Sequence, residues 1–215
     1  MNLKLRVILP NIFLLICVTS YSQINRGTLR VGGNMSTSNS ALDYTNGFNY
    51  PSIKTTSFTI SPSISYFVLE GLSLGVTIPY STSTTRQSGG YSQSDLIQTT
   101  TSFSVGPAVR YYFPIGKCAI FPEFSATWGS GSDPIVTLVN SSFAVITMDA
   151  KLKAQKIGLG VTYFISNNVG VEGILFYQST AKSYEHSSPG FTSDITSSSF
   201  NFNIGFQFYF FRTKQ

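Results

Sequence analysis

The sequence predicts an all-β chain: an eight-stranded antiparallel up-and-down barrel that crosses a membrane. Three observations carry this. Apolar residues recur at every second position in eight separate runs, most plainly in the closing row Phe200, Phe202, Ile204, Phe206, Phe208 and Phe210. The faces between them carry Ser, Thr, Gly, Asn and Gln, and charged residues are only 11% of the chain, against about 25% in typical soluble proteins. Beyond residue 22 no apolar run approaches the ~20 residues that a spanning helix needs. Low charge alone would also fit disorder, but the abundant aromatic and β-branched residues exclude it.

Residues 1–22 read as a cleaved secretory signal. Lys4 and Arg6 precede the apolar stretch 7–18, and Ser20 and Ser22 are small residues placed for cleavage before Gln23. Pro10 interrupts the stretch, and bulky Ile16 before Cys17 does not fit a lipoprotein box. Cleavage leaves residues 23–215 as one barrel domain and takes the net charge from +5 to +3, with no basic run to suggest nucleic acid. It also leaves one cysteine, Cys118, so no internal disulfide is expected, and the role of Cys118 is open.

The expected strands, in order, are 28–36 (Leu29, Val31, Met35 on the apolar face), 57–68 (Phe58, Ile60, Ile64, Tyr66), and 72–81 (Leu72, Leu74, Val76, Ile78, Tyr80). Then come 102–113 (Phe103, Val105, Val109, Tyr111), 119–129 (Ile120, Phe124, Ala126, Trp128) and 156–165 (Ile157, Leu159, Val161, Tyr163). The last two are 169–179 (Val169, Val171, Leu175, Tyr177) and the closing phenylalanine row. Alternation of this kind fits a soluble sandwich with its apolar face inward or a membrane barrel with its apolar face outward. The scarcity of Lys and Glu on the non-apolar faces decides for the membrane barrel. So do the aromatics that end the apolar rows: Tyr80, Tyr111, Trp128, Tyr163, Tyr177 and Phe210. Connections at 69–71, 114–118 and 166–168 are short, and those after the first, third, fifth and seventh strands are long, at about 15–25 residues. An even strand count then puts both termini on the short-turn side.

On these residues the chain resembles the small eight-stranded outer-membrane barrels of the OmpA/OmpX type. "SPSISYFVLEGLSLGV" (61–76) looks like the second hairpin of that group, and "GPAVRYYFPIG" (106–116) like its fourth strand and turn. "NIGFQFYF" resembles the terminal signal read by the barrel-assembly machinery, which would assign Asn203, Gly205, Phe208 and Phe210 to that role. The resemblance implies an outer-membrane location with both termini periplasmic. Pro62, Pro79, Pro107 and Pro122 fall inside the strands, and bulges or strand ends are expected there.

Four charges fall on inward faces near the short-turn end: Arg30, Arg110, Glu123 and Glu172. Two positive and two negative charges cancel, and the expectation is an ionic layer that closes the lumen; four separate solvated charges are the alternative. Lys151, Lys153 and Lys156 lie just above the upper interface, either meeting lipopolysaccharide phosphates by charge or ending the strand in solvent.

Catalysis has little to stand on. His186 is the only histidine, beside Glu185, Ser187, Ser188 and Asp194 in a serine-rich loop, where such proximity is cheap. No metal-ligand cluster or phosphate-cradling motif appears, so no cofactor is expected and the chain is read as not an enzyme. The loop stretches 37–52, 82–95 and 181–194 are rich in Ser, Thr, Asn, Gly and Tyr and suit solvated loops or contacts to a protein or glycan. The runs 134–139 and 143–148 read as a hairpin that either protrudes or folds over the barrel mouth. The function expected is a monomeric structural or interaction protein with a filled lumen. A narrow pore is the alternative, and a lipid-modifying enzyme stands behind that.

Overall fold

The computed structural model describes residues 24–42, 52–88, 96–139, 142–185 and 192–210. The leader with Cys17, parts of the first, second and fourth long loops with His186, Ser187 and Ser188, and the tail 211–215 lie outside the described residues.

All regular structure among these residues is strand. In chain order the strands are β1 (Leu29–Leu42), β2 (Ser52–Phe67), β3 in two segments (Leu72–Thr77 and Tyr80–Ser88) and β4 in two segments (Leu96–Tyr111 and Phe113–Ile115). They continue as β5 (Cys118–Val139), β6 (Ser142–Ser166), β7 (Val169–Glu185) and β8 (Thr192–Phe210). Each pairs antiparallel with the next, and β8 returns to β1 from Leu29↔Phe210 to Met35↔Ile204, so the ring of eight closes.

The alternation sorts side chains as expected. Residues of the closing row are 47% to 77% exposed, and Leu74, Val105, Phe124, Leu159 and Leu175 also point out, far more apolar surface than a soluble monomer shows. Ten residue steps from Phe200 to Phe210 at ~3.4 Å, tilted by 35–45°, span about 25 Å of membrane normal, the height of a membrane barrel's apolar band. Tyr80, Trp128 and Tyr177 cap it towards the long loops, and Tyr66, Tyr111 and Tyr163 towards the short turns.

Two expectations need correction. The strands run well past the apolar band on the long-loop side: β3 reaches Ser88, β7 reaches Glu185 and β8 starts at Thr192. Much of the stretches 37–52, 82–95 and 181–194 is therefore paired strand, not loop. Ser and Thr end the hydrophobic signal at the interface, yet they continue the ladder and pair across it, as Thr55 with Thr85 at 3.1 Å and Ser57 with Ser83 at 2.9 Å. The hairpin at 134–148 also continues β5 and β6, with pairing unbroken from Cys118↔Tyr163 to Val139↔Ser142.

The prolines make no bulges, and Pro79 falls at a strand end as expected, in the break between the two segments of β3. Thr77↔Ser63 and Tyr80↔Ile60 keep one register across Ile78 and Pro79, as Val105↔Trp128 and Ala108↔Ser125 do across Gly106 and Pro107. Each proline forfeits one ladder bond without a slip. Neighbouring groups stay bonded: Ile78 N–H donates to the Pro62 carbonyl at 2.9 Å, and Ser104 N–H to the Pro79 carbonyl at 3.0 Å.

The short turns at 68–71 and 116–117 use Gly71 (φ 75°) and Gly116 (φ 60°), a left-handed backbone that other residues resist. Gly71 is fixed further by its carbonyl, which accepts the Tyr112 N–H at 2.7 Å. Beneath these turns the incoming segment tucks Ile24 and Thr28 under the barrel, both buried.

If the outward row faces lipid, Ile204→Arg near its middle destabilises the refolded protein by ~2–4 kcal/mol in vesicles, read from denaturant unfolding. A change inside ~0.5 kcal/mol would mean that this face meets water.

Candidate functional site

Strand parity sets the site. Leu29 and Val31 face out, so Arg30 faces in; Val109 and Tyr111 send Arg110 in; Phe124 sends Glu123 in; Val171 sends Glu172 in. All four are 1–3% exposed, and they meet. Arg110 Nη1 donates to Glu172 Oε2 at 2.7 Å, while Arg110 Nε pairs with Glu123 Oε2. Arg30 lies 3.8 Å from Glu172 Oε1, donates from Nε to Ser65 Oγ at 2.8 Å, and donates from Nη1 to the Tyr112 hydroxyl at 2.9 Å. These are one connected layer, not four solvated charges.

The layer contains a fifth charge. The sequence groups Lys156 with Lys151 and Lys153 at the upper interface, but only those two face out. Lys156 turns inward, pairs with Glu123 Oε1, and lies 5.0 Å over the Phe176 ring. The layer therefore carries three cations against two carboxylates and does not cancel. The signal was present: Ile157 faces lipid, so its neighbour Lys156 cannot.

Two tyrosines also escaped the sequence reading, although Tyr112 shares parity with Arg110, and Tyr209 with Gln207. Tyr112 donates to Glu172 Oε1 at 3.3 Å and accepts from both arginines; Tyr209 and Thr162 donate to the same oxygen at 3.4 and 2.9 Å. Below them Phe67, Phe121 and Phe164 complete an aromatic floor, with ring centroids 4.8–5.4 Å apart for Phe67–Tyr112, Tyr112–Phe121 and Phe164–Tyr209. Inward faces were expected to be small or polar; at this level an eight-stranded interior is filled by rings instead.

Above the layer lies a cavity of ≈ 670 Å³, walled by Ser and Thr of β1 to β5, with Lys156 and Asn203 lining it. Near its mouth, Lys182 donates to Asp133 Oδ2 at 2.8 Å, and the Tyr184 hydroxyl donates to the same carboxylate. Asp133 lies five residues past Trp128, beyond the apolar band. Burial works against its charge, but the Lys182 and Tyr184 hydrogen bonds and the Lys182 charge outweigh it and hold its pKa below 3.8. Burial, then the Asp133 hydrogen bond and charge, push Tyr184 up to about 12.

The assembly-signal residues divide between the faces. Phe208 and Phe210 point out, whereas Asn203 is buried inside. Gly205 also faces in, opposite Asn34, and a Cβ there would strike the Asn34 side chain and the Gly33 carbonyl. Asp194 accepts from Ser183 Oγ at 2.6 Å across the β7–β8 ladder. Cys118 is a half-buried free thiol at the start of β5. Among the described residues no group of three or more His, Cys, Asp or Glu could hold a metal.

Among solved structures, the outer-membrane protein OprG of Pseudomonas aeruginosa superposes with a TM-score of 0.50 at 12% identity, covering 88% of this chain and 99% of its own. The fold is that of the outer-membrane β-barrels. A major outer-membrane protein of Thermus thermophilus is also similar (TM-score 0.47, 13% identity, 86% and 99% covered). So is Neisserial surface protein A (TM-score 0.40, 15% identity, 85% and 96% covered). No protein-family model and no curated protein sequence matches the chain.

The buried charges of this outer-membrane-type barrel can be tested in pairs. Arg110→Met and Glu123→Gln each cost up to ~3–5 kcal/mol, because each takes one of two ion pairs from a buried partner (Lys156 still faces Glu123, and Glu172 still faces Arg110), while the double variant costs clearly less than their sum. Denaturant unfolding of the four proteins gives the coupling, and a value near zero would dissolve the layer into independent charges. Asp133 has a lowered pKa in the folded state, so its stabilisation is complete above 3.8 and is lost as pH falls through the lower folded value. The stability difference between wild type and Asp133→Asn should hold from neutral pH down to that window and close below it.

Proposed function

We propose that this protein resides in the outer membrane as a monomeric, non-enzymatic barrel with a closed lumen, serving as a structural and interaction protein through its long-loop end. The observation that carries the reading is the reach of the buried layer. Arg30 stands on β1 and Glu123 on β5, opposite sides of a ring of eight, and Glu172 and Arg110 join them across the diameter. Tyr112 and Tyr209 reach the same carboxylate from the β4 and β8 sides, another opposite pair. Every side chain in this chain of contacts is buried. A solute would have to break several charge-assisted hydrogen bonds to pass, and then displace the aromatic floor.

The short turns and both termini are assigned to the periplasm, and the extended strands to the outside. Lys151 and Lys153, outward-facing on β6, suit contact with lipopolysaccharide phosphates; Lys156, turned inward, is withdrawn from that role. The Asn203–Phe210 segment is assigned to engagement by the barrel-assembly machinery. The paired extension of β5 and β6 offers a protein or glycan partner the largest regular surface beyond the membrane. The closed ring needs no second copy to satisfy an edge.

Planar-bilayer recording of the refolded protein tests this. Silence is expected, with heat-modifiable gel migration showing that the protein is folded. Discrete openings are expected only when Arg110→Ala and Glu172→Ala are combined. Steady openings of the wild type would replace the closed barrel by a small pore.

A further inference from the structure

We propose that the upper lumen is a binding cup for a small oxyanion, reached from the long-loop end. The inference rests on the closed-lumen reading for its direction of access: an anion enters and leaves by one mouth.

Charge comes first. Arg30, Arg110 and Lys156 face Glu123 and Glu172, which leaves one positive charge in surplus at the cup's base. Among the described residues, the charged ones lining the cavity are Lys156 and Lys182; the Lys182 charge is balanced by Asp133 at 2.8 Å, which leaves Lys156 to act on a ligand. The Lys156 side chain is 13% exposed, and what is exposed faces the cavity it lines. Its ammonium has three N–H donors, and the Glu123 pairing occupies one.

The wall supplies donors. Ser57 and Ser83 are hydrogen-bonded at 2.9 Å, and Thr59 and Ser81 at 2.8 Å, all four lining the cavity. Each hydroxyl pair has two protons and spends one on itself; Ser81 Oγ gives the other proton of its pair to the Phe58 carbonyl at 3.4 Å, so the Ser57–Ser83 pair is the one that keeps a proton to donate. At the base, Asn203 is 3% exposed, lines the cavity, and has a side-chain oxygen with no hydrogen-bond partner among the described residues. Its amide can present either end to a ligand. The Lys156 ammonium, which brings the surplus charge and keeps two N–H donors, the spare Ser57–Ser83 proton and a buried amide that can turn its NH2 to the ligand together make a site with donors to offer. Such a site favours a compact anion with several acceptor oxygens. A cation is repelled by it, and a neutral polyol leaves the surplus charge unused.

The test is titration of the refolded protein in micelles at fixed chloride, by calorimetry and, for phosphate, by phosphorus NMR. Inorganic phosphate, acetate and glucose are the probes. Saturable binding of phosphate or acetate is expected, and which of them binds tells a phosphoryl from a carboxylate ligand. Lys156→Met should weaken it about tenfold or more, and Lys156→Arg should retain it within about threefold. If Lys156→Met does not refold, Asn203→Ala combined with Ser57→Ala and Ser83→Ala carries the test, with at least about threefold weakening expected. Absence of saturable anion binding, binding indifferent to these substitutions, or binding of glucose in place of the anions would overturn the cup. Bilayer recording reads the floor separately: a conducting protein that still binds phosphate through Lys156 refutes the closed lumen and leaves the anion site standing.

Discussion

In hydrocarbon a peptide N–H without an acceptor costs several kcal/mol, so the ladder between the first and last strands is the pairing on which the rest depends. Leu29↔Phe210 through Met35↔Ile204 removes both free edges at once. That closure also fixes the strand number, and the strand number fixes the bore. With eight strands the interior is about one layer of side chains wide. Gly32 opposite Gln207 and Asn34 opposite Gly205 show how tight this is: at the closing seam a large amide lies against a glycine, in alternate order. A filled interior at the short-turn end is therefore a consequence of the ring, and the sequence has only to choose what fills it.

The outward face was legible because lipid imposes a single chemical rule over the full height of the band. Every apolar residue assigned to it in the closing row points out. The inward face obeys no such rule. In "YYF" (111–113) aromatic residues occupy both faces, so the chemical alternation vanishes where Tyr112 turns in to hold Glu172. Phe67, Phe121 and Phe164 are hidden for the same reason. Lys156 is legible by parity with Ile157, but its spacing from Lys151 and Lys153 groups it with the outward-facing lysines. The upper strand limits could not be read, since Ser and Thr look alike in a loop and in a paired ribbon above the membrane. The β5–β6 extension could be read because its β-branched runs flank a tight turn.

The prolines show how a closed barrel tolerates residues that its ladder cannot use. Pro62 and Pro79 sit within one short stretch of the β2–β3 pairing, and Pro107 lies across from it on β4. The flanking registers stay unchanged on both sides, as they do around Pro122 on β5. A bulge would have shifted parity and turned an inward charge to lipid. The constant register that spares the ladder thus also keeps Arg110 and Glu123 opposite each other on β4 and β5.

Filling the interior at this level does not by itself call for charge, because apolar side chains like those of the aromatic floor could occupy the same space. Nor does the charged layer lower the energy cheaply: burying ions costs several kcal/mol apiece, and well-packed apolar residues would often do as well. What it adds is a condition on assembly. Its members come from β1, β4, β5, β6 and β7, and each is satisfied only by residues on other strands. A one-residue slip at any of these pairings would turn a charge outward, at ~2–4 kcal/mol for Arg or Lys near the midplane, and strand its partner inside. An apolar floor carries a weaker penalty, since phenylalanine is acceptable on either face. The layer thus makes correct closure distinguishable from near misses. The third cation is not needed to balance the two carboxylates, which is why its surplus charge points to a use in the cup above.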